Sequence, residues 1–330
     1  MPSRVLCGKF GSPLTYATFS SDRELAPGQL SFEVMRKIYD YDAINADTQV
    51  YAVLGDPIAH SLSPLVHNRA FKAAGVNAVY VPWRIPQGSL TQSLNDLDPL
   101  GIRGFSITIP HKEAAAEFAQ HCSDDVRAIR AANTLIRDEM NEWHAHNTDA
   151  PAALESILRG LDPTADIPSP DLLVSRKVLL LGAGGAARAV GTALVRAGAL
   201  VMISSRTAKR AAELAESIGC THCTWENRGA GDPDIIVNCT PIGMHPNVDD
   251  TPYAENWLQE HMIVFDTVYN PETTLLLKQA RTKGCRVVPG IEMFVRQASM
   301  QFEMFTGQPG PLDDMRLAVR RAISPLGDLD

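Results

Sequence analysis

The amino-acid sequence predicts a two-domain α/β protein in which one domain is a doubly wound parallel sheet. Three observations carry this. An apolar run, RKVLLL (176–181), passes directly into GAGGAARAV, a stretch that can only turn and begin a helix. Strand-like runs then alternate with helical segments, at LVMISSR (200–206), DIIVNC (234–239), MIVFDTVY (262–269) and RVVPG (286–290). Finally, 330 residues at 45% hydrophobic and 21% charged suffice for two domain-sized cores.

Taken along the chain, residues 1–48 stand apart as an extension. A smaller α/β domain is expected over 49–150, completed by helices over 291–330, with the doubly wound domain over 151–290. Within the smaller domain, ITIPHKE (107–113) is a β-branched run stopped by Pro110. Lys112 then opens the next segment at the carboxyl edge of the sheet, where ligands of open α/β sheets bind. Read alone, Lys112 is a first-turn lysine, Asp149 caps a helix that Pro151 starts, and Ser61 and Ser63 are turn or cap hydroxyls. GLDPTADIPSPDLL (160–173), with Pro163, Pro168 and Pro170, reads as a linker or exposed loop.

The glycine-rich turn is a phosphate cradle of the Rossmann type. Gly182 and Gly184 allow the tight turn and close backbone approach, and Ala187 fills the third small position of the dinucleotide fingerprint. The loop Gly182, Ala183, Gly184, Gly185 and Ala186 then delivers a helix N-terminus to the phosphates. At the end of the second strand, where an acid would hold the ribose of NAD, the chain has Ser205, Arg206 and Thr207, with Arg210 one turn on. Two guanidinium groups suit a 2′-phosphate that a carboxylate would repel, so the expected cofactor is NADP.

Composition narrows the partners. A net charge of −8 without a basic block argues against nucleic acid or an anionic membrane, and points to small molecules. No apolar window reaches the roughly 20 residues of a membrane span and no signal-peptide pattern is present, so a cytoplasmic setting is expected. The six cysteines are read as reduced thiols. Cys220 and Cys223 form a CxxC, and His144 and His146 lie two apart, but neither pair has further ligands at metal-site spacing, so no metal is expected. A homodimer through a sheet edge or the extension is left open.

Taken together, GDPIAHSLSP (55–64), ITIPHKE, AANTL (131–135), HNTDA (146–150) and GIEMFVRQ (290–297) resemble the shikimate dehydrogenase family, in that family's order and over residues 48 to 310. The resemblance implies NADPH-dependent, reversible reduction of the 3-keto group of 3-dehydroshikimate in a cleft between the domains. It makes Lys112 the catalytic lysine and Asp149 its carboxylate partner. Ser61 and Ser63 would bind the substrate carboxylate, and Thr108, Asn133, Tyr269 and Gln297 would make further substrate contacts. Asn238, Thr240, Gly243 and Gly290 would flank the nicotinamide. With Lys112 as proton acceptor in the oxidative direction, oxidation should quicken as pH rises.

Departures are few. Ala145 and Ala150 replace two common glycines around Asn147-Thr148-Asp149, and Ser205 stands where the family has asparagine. Within enzymes, the competing reading is a quinate or quinate/shikimate dehydrogenase using NAD, against which Arg206 argues. Outside enzymes it is a non-catalytic metabolite sensor, against which the intact Lys112 and Asp149 argue. Residues 3–30 carry a second resemblance, to the C-terminal end of a type I 3-dehydroquinate dehydratase barrel. Arg4 and Gln29 match substrate-contacting positions of that family, while Leu25 replaces its serine. A strand, a loop and a helix are implied here, packed on the dehydrogenase or mobile, without dehydratase activity because that family's Schiff-base lysine has no counterpart in this sequence.

Overall fold

A computed structural model describes residues 2–20, 23, 26 and 28–324. The chain divides into two units, Met1–His146 with Ala298–Asp330, and Asn147–Gln297.

The first unit begins with a correction. The segment expected as a last barrel strand is helical, α1 (Pro2–Leu6). A strand needs neighbours to pair its N–H and C=O groups, whereas a helical turn satisfies part of them internally. In α2 (Phe32–Lys37), the Ser31 hydroxyl caps the start by accepting from Val34 N. Val5, Leu6, Met35 and Tyr39 join Val50, Ala52, Leu54 and Val79 in one apolar cluster, so the extension is part of this unit's core. Leu25, the departure from the dehydratase pattern, lies outside the described residues.

The chain then runs through β1 (Gln49–Gly55), α3 (Ser63–Ala73), β2 (Ala78–Arg84), α4 (Leu90–Leu97), β3 (Ile102–Ile107), α5 (Lys112–Phe118), β4 (His121–Cys122), α6 (Asp124–Ile129), β5 (Thr134–Arg137) and β6 (Trp143–His146). β1 is buried from Val50 to Gly55, and such a continuous apolar run belongs inside a parallel sheet. The strand order is β2-β1-β3-β5-β6-β4. β1 lies parallel to β2 and β3, whereas β5 runs antiparallel to both β3 and β6. This register sets Ser106 opposite Thr134.

The second unit comprises α7 (Asp149–Leu161), β7 (Lys177–Leu181), α8 (Gly185–Arg196), β8 (Leu200–Ser204), α9 (Ala208–Ile218), β9 (Thr221–Cys223), β10 (Ile235–Asn238), β11 (Ile263–Asp266), α10 (Leu275–Thr282), β12 (Arg286–Val288) and the start of α11 (Gly290–Thr306). Its six strands are all parallel in the order β12-β11-β10-β7-β8-β9, a doubly wound sheet that reverses direction at β7. Helix α11 runs across residue 297 into the first unit, where α12 (Leu312–Ile323) packs on α3.

Sequence patterning puts the divisions at 150/151 and 290/291, whereas the structure has them at 146/147 and 297/298. The difference comes from α7 and the first turns of α11. A Cβ on Gly160 would lie 2.5 Å from Val288, and Arg286 donates to Leu161 O at 2.9 Å, so α7 is held by β12 along its last turn. The proline-rich stretch 160–173 is therefore no connector between the units. It finishes α7, runs through a largely exposed loop over 162–169 as expected, and then forms a 3-10 turn over Pro170–Leu173, capped by the Ser169 hydroxyl.

Candidate active site

In the first unit, three predicted residues meet at the carboxyl end of β3. Thr108 N donates to Leu54 O at 2.9 Å, which extends the β1–β3 pairing one step past the strand. The two chains approach so closely there that a Cβ on Gly55 would sit 2.4 Å from Thr108 Cγ2, hence the glycine. The chain turns at Pro110, and buried His111 fixes the turn with a ring contact of 2.7 Å from Nε2 to Ile85 O. Lys112 then becomes the first residue of α5, half-buried. Its carbonyl accepts from Ala132 N at 2.8 Å, which brings the segment carrying Asn133 against the start of α5. Asn133 is 3% exposed, its N–H donating to His146 O at 3.0 Å and its carbonyl accepting from Ile107 N at 2.7 Å. Ser61 and Ser63 follow β1 at the start of α3, half-buried, with Ser63 N donating to Ser61 Oγ at 3.3 Å.

In the second unit, Asp149 opens α7 at 8% exposure. Read alone, the sequence makes Asp149 itself the cap of this helix. The capping acceptor is instead Asn147, whose Oδ1 receives Asp149 N at 3.1 Å and Ala150 N at 3.2 Å. The Asp149 carboxylate lies near the favourable end of the helix dipole. Asn147 was visible in sequence only as part of HNTDA, and its capping role was missed.

The glycine loop has the form a pyrophosphate requires. Gly182 has φ 116°, and a Cβ there would meet Cys239 O at 2.9 Å, so only glycine fits. Around Gly184 and Gly185, by contrast, added Cβ atoms would find nothing within 4 Å, leaving the mouth of the loop open at the start of α8. Inside that helix, a Cβ on Gly191 would come within 3.0 Å of Leu180 and 2.9 Å of Ile218, a close approach that sequence inspection overlooked. At the end of β8, Arg206, Thr207 and Arg210 are exposed, and neither arginine takes part in an ion pair among the described residues. No acid stands at 205 to 207, so the site fits a phosphorylated ribose.

The strands beside this loop carry a buried polar network. Asp266, at the end of β11, accepts from Asn238 Nδ2 at 2.9 Å, Thr274 Oγ1 at 2.6 Å and Val268 N at 3.0 Å. Burial nonetheless raises its carboxyl to about 6. Asn238 turns its other end to Thr240, accepting from that residue's N at 2.9 Å and Oγ1 at 2.6 Å. Gly290 is pinned where α11 starts, since a Cβ would lie 2.4 Å from Val268 O. Tyr269 stacks on Phe294 with centroids 4.5 Å apart, and burial raises its phenol. Gln297 donates to Phe294 O at 2.9 Å.

All six cysteines are free thiols. Among the described residues no group of three or more His, Cys, Asp or Glu side chains could hold a metal ion, and no helix is long and apolar enough to cross a membrane.

A doubly wound sheet with this glycine loop, in a chain whose other α/β unit carries a lysine and polar side chains at its own sheet edge, defines a dinucleotide-dependent oxidoreductase. Comparison with known proteins narrows the class. Residues 53–135 match the shikimate dehydrogenase substrate binding domain, 290–320 the shikimate 5′-dehydrogenase C-terminal domain, 177–268 the coenzyme F420-dependent NADP oxidoreductases, and 1–46 type I 3-dehydroquinase. The chain is 36% identical over 280 residues to the shikimate dehydrogenase (NADP(+)) of Shouchella clausii, covering 83% of this chain and 98% of that protein. It is 40% identical over 317 residues to the bifunctional 3-dehydroquinate dehydratase/shikimate dehydrogenase of Arabidopsis thaliana, spanning 94% of this chain but only about half (52%) of that relative's length. The solved shikimate 5-dehydrogenase of Thermus thermophilus in complex with NADP(H) and shikimate superposes with a TM-score of 0.74 at 34% identity, covering 83% of this chain and 100% of that one. The chain belongs to the shikimate dehydrogenase family.

Proposed function

We propose that this chain interconverts 3-dehydroshikimate and shikimate, with NADP(H) as cofactor, in the route to aromatic amino acids. The observation that supports it most is the backbone bond from Ala132 N to Lys112 O, which sets the lysine and Asn133 side by side at the sheet edge. Bound NADPH would supply the hydride, held by the loop from Gly182 to Ala186 with Arg206 and Arg210 on its 2′-phosphate.

The remaining work falls to the chain's own groups. As hydride reaches the carbonyl carbon, negative charge grows on its oxygen. The Lys112 ammonium stabilises that charge and gives up its proton there. In the oxidative direction the neutral amine takes the proton back. Asp149 is assigned the role of carboxylate partner in this step. Ser61 and Ser63 are assigned to the substrate carboxylate through their hydroxyls, and Thr108, Asn133, Tyr269 and Gln297 to the remaining substrate oxygens. Thr240 and Gly290 are assigned to the nicotinamide end, where the Asn238–Asp266 network holds Thr240 in place. Six free thiols suit a reducing compartment, which supports assigning the reaction to the cytoplasm.

The test is Lys112→Ala with shikimate and NADP. Its kcat should fall by about a thousandfold, within the range for losing a positioned acid–base group, while shikimate still binds. A variant with near-normal kcat would overturn the assignment.

A further inference from the structure

Gln301 is 2% exposed on α11 and belongs to no motif singled out in the sequence. Its amide spans the facing residues Ser106 and Thr134 of β3 and β5. Nε2 lies 3.1 Å from Asn133 O and 2.9 Å from Thr134 Oγ1, and Oε1 lies 2.7 Å from Ser106 Oγ. Thr134 Oγ1 is in turn 2.9 Å from Asn133 Oδ1.

The direction of each hydrogen bond follows from one fixed group. A backbone carbonyl only accepts, so the end of Gln301 facing Asn133 O must be the amino end. That amino group then spends its second hydrogen on Thr134 Oγ1, which becomes an acceptor toward Gln301. A hydroxyl has one hydrogen, and that of Thr134 is thereby directed to the side chain of Asn133. The atom receiving it must be the amide oxygen, which turns the Asn133 amino group away from Thr134. Ser106 closes the other end by donating to Oε1.

We propose that Gln301 and Thr134 are positioning residues that lock the Asn133 amide in one orientation, so that it meets the substrate as a hydrogen-bond donor to an oxygen lone pair. Without the relay one contact that fixes the Asn133 amide is lost and its flipped form gains population, and an amide oxygen aimed at a substrate oxygen repels it unless the substrate hydroxyl reorients to donate. Gln301 thus selects for substrates with an accepting oxygen at that point. The inference rests on the assignment of Asn133 as a substrate contact.

The experiment uses the full chain with shikimate and NADP, comparing Thr134→Val, which keeps the shape without the hydroxyl, with Thr134→Ser, which keeps the hydroxyl. Thr134→Val should raise KM for shikimate about five- to tenfold, the loss of one neutral hydrogen bond, with KM for NADP unchanged. Thr134→Ser should restore KM for shikimate to within about twofold of the wild-type value, well short of the loss expected for a missing hydrogen bond. In an Asn133→Ala background, Thr134→Val should cost nothing more, because the relay then has no amide to orient. Should Thr134→Val not fold, Gln301→Met interrupts the same relay and is read the same way. The proposal is overturned if the shikimate KM of the valine variant stays near the wild-type value, if the serine variant fails to restore it, or if the loss adds in full to that of Asn133→Ala. A wild-type chain inactive on shikimate would instead overturn the functional reading itself, which separates the two failures.

Discussion

Asp266 makes the energetics of the buried Asn238–Asp266–Thr274 network measurable. Its carboxyl stands at about 6 in the folded chain, against 3.8 for the same group in water, because burial outweighs three hydrogen bonds. The folded state therefore disfavours the charged form. At about 1.36 kcal/mol for each tenfold, the full cost of ionising it is about 3 kcal/mol, absent below pH ~3.8 and complete above pH ~6. Replacing it by asparagine keeps the shape and removes the ionisation. Any constant loss from the altered hydrogen bonds cancels when the two forms are compared at two pH values. From pH ~5 to pH ~8 the Asn form should gain about 1.4 kcal/mol on the wild type. The assay is denaturant-midpoint unfolding of both proteins at each pH, followed by fluorescence. Parallel curves for the two forms would refute the reasoning, and a gain in the opposite direction would mean the carboxylate is stabilised by its three donors rather than penalised by burial.

Three further outcomes are expected. Arg206→Ala should raise KM for NADP about tenfold or more, the loss of a charge-assisted hydrogen bond, while KM for NAD hardly changes; equal changes for both cofactors would remove the arginine from the 2′-phosphate. His67, fully buried and stacked on Tyr80 at 4.3 Å, has its pKa pushed down to about 3 by burial. Its neutral form is the folded one, so this contribution is present above pH ~6.5 and is lost as pH falls toward ~3; His67→Leu should resist a drop from pH ~7 to ~5 better than wild type by about 2 kcal/mol in urea unfolding. Leu6→Ala in α1 should destabilise the first unit by about 2–4 kcal/mol if the extension is core, as its place in the cluster with Val50 and Leu54 requires; a change near zero in thermal unfolding would show the extension to be dispensable.

Much of the second unit was legible because its signals are local. RKVLLL followed by GAGGAARAV fixes a strand, a turn and a helix within fifteen residues of sequence, and Gly182 shows its reason directly in a positive φ and the nearness of Cys239 O. Lys112 was placeable at a helix start for the same kind of reason, since Pro110 ends one element and the next begins two residues on. The missed features depend on distant partners. Gln301 meets Ser106 and Thr134 across 195 and 167 residues of chain, and nothing near it in sequence marks it. The helical form of residues 2–6 was unpredictable from the barrel resemblance because a strand's stability resides in the neighbours it pairs with, which the segment itself does not reveal. The reach of α7 to Leu161 likewise depends on Val288 and Arg286, more than a hundred residues later.

The most direct measurement is reduced-cofactor absorbance with the purified chain, shikimate or quinate each being paired with NADP or NAD. Turnover concentrated in the shikimate and NADP pair is the predicted result. Preferred turnover of quinate with NAD, or no turnover in any pair while NADP still binds, would contradict it.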